Sequence, residues 1–90
     1  MAITMQPDHI EQLIKQGLPD ADVYVEGDGS HFSALVITSA FLGKSRVQRQ
    51  QMIYATVNAE LLDGSLHALS TKAFTREEWQ LIEQQDEGLS

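Results

Sequence analysis

Val23-Tyr24-Val25-Glu26-Gly27-Asp28-Gly29-Ser30-His31-Phe32-Ser33-Ala34-Leu35-Val36-Ile37 is the stretch on which the fold of this chain turns. From Asp20 to Glu26 polar and apolar residues alternate, the pattern of a strand with one buried face. Gly27-Asp28-Gly29 reads as a turn, because glycine tolerates positive φ and Asp can bond its neighbouring backbone. The next strand, His31 to Ser39, is apolar on both sides in its middle: Phe32, Ala34 and Val36 on one, Leu35 and Ile37 on the other. A strand apolar on both faces belongs in the centre of a sheet. Two strands joined by so short a turn pair antiparallel.

Working outward, Ile10, Leu13, Ile14 and Leu18 recur at helical spacing behind Pro7. They predict a first helix from Pro7 to Gly17, closed by Gly17-Leu18-Pro19. Downstream, Phe41-Leu42-Gly43-Lys44 reads as a short connector. Ser45 with Gln48 then forms a capping box that opens a helix from Arg46 to Leu62. Val47, Tyr54, Val57 and Leu61 supply its inner stripe, and Asp63-Gly64 ends it, with Gly64 as the left-handed cap. Leu66 to Phe74 reads as the third strand. Thr75 with Glu78 forms a second capping box, opening a last helix through Trp79, Leu81 and Ile82. Its early acids, Glu77 and Glu78, suit the positive end of the helix dipole. From Gln84 the chain is polar, and a frayed end is expected.

The order is helix, strand, strand, helix, strand, helix: an α+β fold with a three-stranded mixed sheet. The helical crossover makes strands two and three parallel and right-handed, so the sheet order is one, two, three. His31 opens strand two and His67 lies at the start of strand three. Parallel neighbours would bring both histidines to the same end of the sheet.

Ninety residues with 42% apolar content give one domain, with its core at about residues 7–83, and no room for a second. Such a domain supports two layers but no deep catalytic cavity. Six Lys and Arg against thirteen Asp and Glu give a net charge of −7, the wrong sign overall for a phosphate-backbone binder. The acids are uneven, however. None lies between Gly29 and Ala59, where Lys44, Arg46 and Arg49 sit. With no cysteine, disulfides, thiol catalysis and Cys-ligated zinc within the chain are excluded. Met1 to Asp8 lacks the basic and apolar regions of a signal peptide, and no apolar run approaches the ~20 residues of a membrane span. A cytoplasmic protein without membrane association is expected.

Three places could carry chemistry. His67 is either a strand-end imidazole bonded to backbone or a ligand for iron, zinc or copper. His31, beside a glycine turn that lets a partner approach, has the same two readings, whereas His9 falls on the solvated side of the first helix. Lys44, Arg46 and Arg49 at a helix start could meet phosphate through charge and free N–H groups. The element order is similar to a KH domain, but Gly43-Lys44-Ser45-Arg46 is not the GXXG clamp a KH domain uses, and no exposed aromatic pair offers stacking. Asp20/Asp22 and Glu77/Glu78 read as strand-edge and helix-start charges. No HExxH, Ser-His-Asp or P-loop pattern is present, and an enzyme is not expected.

Three blocks resemble the BolA family, in particular its short-loop, IbaG-like branch. They are Val25 to Phe32, Phe41 to Tyr54, and Leu66-His67-Ala68-Leu69-Ser70-Thr71-Lys72-Ala73-Phe74-Thr75 with Glu78-Trp79. The similarity runs from about Ile10 to Trp79. It implies a KH-like fold of class II type and a non-enzymatic role beside a monothiol glutaredoxin. The two proteins would share a [2Fe–2S] cluster in iron–sulfur trafficking or in iron and stress regulation. The family's C-terminal histidine matches His67. The second ligand comes from the loop between strands one and two, where this chain offers only His31 and the loop is shorter. A chain without cysteine cannot hold such a cluster alone, so glutaredoxin and glutathione would supply thiolates and this chain imidazole. A homodimer is a further expected partnership. The rival reading is a DNA-binding transcriptional regulator acting through Lys44, Arg46 and Arg49.

Overall fold

The structure, a computed structural model, describes residues 6–27 and 31–89, with side chains described as far as residue 84. Helix α1 spans Pro7–Gly17 and is closed by the Leu18 N–H on the Ile14 carbonyl (2.8 Å). Strands β1 (Asp22–Gly27) and β2 (His31–Ile37) follow. A 3₁₀ turn over Ser39–Phe41 leads to α2 (Arg46–Thr56) and α3 (Asn58–Asp63). Strand β3 (Ala68–Phe74) and helix α4 (Arg76–Leu89) complete the chain. The two strands of the hairpin each begin or end within two residues of where the alternation placed them. Residues 28–30 of the Gly27-Asp28-Gly29 turn lie outside the described residues.

The sheet order is β1-β2-β3. β1 pairs antiparallel with β2, Gly27 opposite Phe32, and β2 pairs parallel with β3, His31 opposite Ala68. Gly27 is required by contact. A Cβ there would sit 2.5 Å from the Phe32 ring and closer still to the His31 carbonyl oxygen. Phe32, Ala34 and Val36 point from β2 into a core shared with Val23, Leu69, Ile10, Ile14 and Ile53. The helices α1 and α2 cover that face, while α4 reaches β3 on the other through Phe74 and Trp79, whose rings lie 5.6 Å apart.

Both expected capping boxes form. Ser45 Oγ accepts from the Gln48 N–H (3.2 Å) while Gln48 Oε1 accepts from the Ser45 N–H (2.8 Å). Thr75 Oγ1 accepts from the Glu78 N–H (3.2 Å), and Glu78 Oε1 from the Thr75 N–H (2.8 Å).

Three local expectations are corrected, and one is sharpened. The helix expected over Arg46 to Leu62 is two helices that break at Val57 (φ −121°, ψ 20°). There Thr56 Oγ1 donates to the Ile53 carbonyl (2.6 Å), competing with the helical ladder. Val47 is 60% exposed, not on the inner stripe. Ile53 is the buried centre of that stripe, and a position six residues earlier lies about 120° around the helix. The segment after β2 is the short connector expected, and it is anchored by Phe41, which is fully buried. Finally, α4 continues past Gln84 to Leu89; Gln and Glu are good helix formers, so polarity alone does not end a helix. Gly64 provides the left-handed cap as expected (φ 83°).

Candidate functional site

His67 lies in the connector between α3 and β3. Its neighbours are pegged: Leu66 is 2% and Leu69 8% exposed, and the Tyr54 hydroxyl donates to the Leu69 carbonyl (2.9 Å). Behind it, the Asp63 carboxylate accepts from the Ser65 hydroxyl and then from the Ser65 N–H (2.8 Å), which together hold that carboxyl below its ordinary value. The chain is thus fixed on both sides of an imidazole that is itself exposed. His31 is also exposed and opens β2 directly before the buried Phe32.

The parallel register joins these two positions. His31 is opposite Ala68, the residue after His67. The histidines are therefore offset by one strand spacing, ~4.8 Å, across the sheet and one residue, ~3.3 Å, along it. The expected juxtaposition at one sheet end holds for the backbone. Two imidazoles without a thiol fit half of a ligand set. Among the described residues no group of three or more His, Cys, Asp or Glu could hold a metal ion. His9, on α1, is exposed.

The basic segment lies at the opposite end, where β2 leads into α2. Its three cations are not equivalent. Lys44 and Arg46 are exposed, but the Arg49 side chain retains only 14% exposure. Arg49 Nε donates to the Lys44 carbonyl (3.0 Å) and Nη1 to the Ala73 carbonyl (3.2 Å). Nη1 and Nη2 also grip the Glu78 carboxylate at 2.7 and 3.3 Å. The guanidinium carbon lies 5.8 Å from the Phe41 ring centroid, in cation–π range. Arg49 therefore ties α2, β3 and α4 together, and its bonds hold the Glu78 carboxyl below the ordinary carboxylate range. Sequence reasoning missed this role, since Ala73 and Glu78 lie 24 and 29 residues downstream. It also missed Arg76, which reaches the Asp22 carboxylate (2.7 Å) and the Asp20 carbonyl (2.6 Å).

Residues 6–78, most of the chain, match the sequence profile of the BolA-like protein family. The chain belongs to the BolA-like family. This BolA-like protein is 37% identical over 75 residues to the acid stress protein IbaG of Escherichia coli K12, covering 83% of this chain and 89% of that one. It is 43% identical over 53 residues to the DNA-binding transcriptional regulator BolA of Haemophilus influenzae, covering 59% of this chain and 50% of the regulator. Its fold matches a BolA homologue from Coxiella burnetii with a TM-score of 0.76 and 32% identity, over 84% of this chain and 97% of the other. The family resemblance read from the three sequence blocks is therefore correct. Among the described residues no helix is long and apolar enough to cross a membrane.

Proposed function

We propose that this BolA-like protein is a non-enzymatic adaptor that docks on a monothiol glutaredoxin and contributes His67, with His31, to a shared [2Fe–2S] cluster. The reading is supported above all by the parallel register that brings two exposed histidines to one sheet end. A strand-end imidazole with pegged neighbours can reach a partner's metal without disturbing the core. Thiolates from glutaredoxin and glutathione complete the ligand set, which this cysteine-free chain cannot do alone. When bound, a cluster with imidazole in place of thiolate has a raised reduction potential, as in Rieske centres. Iron–sulfur trafficking or iron and stress regulation in the cytoplasm is the setting this chemistry suits. The test is to mix the chain with a monothiol glutaredoxin, glutathione, iron and sulfide. A heterodimer with altered cluster absorption supports the reading, and loss of that spectrum in His67→Ala assigns the ligand.

A second reading, DNA-binding regulation, is favoured by the exposed Lys44 and Arg46 and by the similarity to the Haemophilus regulator. It predicts a salt-dependent duplex shift at low ionic strength that is abolished by Lys44→Glu with Arg46→Glu. Arg49 is left in place in that test because it holds the fold together.

A further inference from the structure

Strand β3 is an edge strand, and its outer side is only partly closed. The Phe74 carbonyl accepts from the Thr38 N–H on the β2 side (3.0 Å). In a parallel ladder alternate residues turn both backbone groups to the neighbouring strand, so Leu69, Thr71 and Ala73 turn theirs outward. Two of those outward carbonyls are capped by side chains from α2: Leu69 by Tyr54 and Ala73 by Arg49. Thr71, between them, has no such cap. Among the buried side-chain polar atoms of the described residues, Thr71 Oγ1 is the one without a hydrogen-bond partner.

This opening forms the floor of a groove of about 880 Å³ between α2 and α4. Lys44 and Arg46 line the α2 side, Leu81 and Ile82 the α4 side; the Arg49–Glu78 ion pair lies between them, and Lys72 adds a further cation at the floor. The two walls thus differ in character, one cationic and one aliphatic, on either side of an unpaired strand edge. A strand laid along an edge pairs through its backbone and sends alternate side chains to opposite sides. The cationic wall calls for carboxylates, the aliphatic wall for apolar side chains.

We infer that the outer edge of β3 is a docking groove for a short extended peptide segment of a partner protein, with acidic and apolar residues alternating. The segment pairs with the Thr71 N–H and C=O, aims carboxylates at Lys44 and Arg46, and lays apolar side chains on Leu81 and Ile82. A nucleic-acid strand fits less well. Its phosphates would meet an aliphatic wall on one side, and its sugar–phosphate backbone has no regularly spaced amide groups to match an edge strand. The caps on Leu69 and Ala73 keep the pairing short, so selectivity comes from the alternation. The groove is at the far end of β3 from His67 and operates independently of any cluster.

The probe is an end-capped octapeptide of alternating Asp and Val, titrated at low salt into the isotope-labelled full chain. Amide shifts are expected at Thr71 and Ala73 and at Lys44 and Arg46. Lys44→Glu with Arg46→Glu should weaken binding about tenfold or more. N-methylation of one central residue, made once at Asp and once at Val because the two strand directions present different amides to β3, leaves charge unchanged, and one of the two peptides should bind roughly threefold to tenfold more weakly. That second arm uses the unaltered protein, so it decides the matter even where the double variant fails to fold. The inference is overturned by an absence of shifts, or by undiminished binding of both N-methylated peptides. It is equally overturned by equal binding of a block peptide of four Asp followed by four Val. Tighter binding of an eight-nucleotide oligothymidylate at the same amides would give the groove to nucleic acid instead.

Discussion

The two ends of the sheet use their functional-looking side chains in opposite ways. At the histidine end, His31 and His67 sit exposed on backbone that buried neighbours hold in place. At the other end, Arg49 belongs to a basic run that reads as an interaction patch, yet it is a structural clamp with four hydrogen bonds inside the molecule. The difference shows that residue type and spacing propose a site, while burial decides whether the side chain is available to a partner.

Stability measurements can break that contrast. The largest effect is expected from Arg49→Ala, which removes the ion pair to Glu78, leaves the Ala73 carbonyl without its cap and uncovers Phe41. It should destabilise by about 2–3 kcal/mol, read as a lower denaturant midpoint at unchanged slope. Gly27→Ala should cost about 1–3 kcal/mol through overlap with Phe32 and the His31 carbonyl. It acts at the histidine end by displacing His31 without touching an imidazole, so cluster formation should weaken along with stability.

A smaller effect concerns acid. The Glu78 carboxyl is held below its ordinary value of 4.5, first by its hydrogen bond from Arg49 and then by the Thr75 N–H. Its folded pKa is depressed, so its contribution is present above the unfolded value and is lost as pH falls through the folded one. Its side chain is 44% exposed, which limits the contribution to under about 1 kcal/mol after screening. Glu78→Gln should therefore flatten the acid limb of the stability profile below about pH 4.5. Smaller still, Thr71→Val removes an unpartnered buried hydroxyl and should change stability by no more than about 0.5 kcal/mol, toward greater stability. His67→Ala should be near neutral, within about 0.5 kcal/mol, as an exposed position allows.

Much of this architecture was legible because it is local. The hairpin alternation, the two S/T-x-x-E/Q boxes and the helical crossover each fix an element from neighbours a few residues apart, and together they dictate the sheet order and the shared end of His31 and His67. What escaped depends on distant contacts. The split after Thr56 follows from a hydroxyl that bonds its own helix while Val57 is drawn into the core. Val47 was misplaced because the apolar stripe is centred on Ile53, with Arg49, a cation, occupying the turn above it. Arg49's role could not be read at all from the basic run, since its acceptors come from β3 and α4. Lys72 went unnoticed because it joins Lys44 and Arg46 only through the packing of α2 and α4 around β3.

The central claim, that the histidine end is half of a shared cluster site, is tested most directly by cluster absorption and circular dichroism. The chain is titrated against cluster-loaded monothiol glutaredoxin, with unaltered protein and His67→Ala side by side. A one-to-one heterodimer with a changed cluster spectrum that His67→Ala abolishes, while the variant keeps full stability, is the predicted result. A spectrum identical for both proteins, or no heterodimer at all, would contradict it.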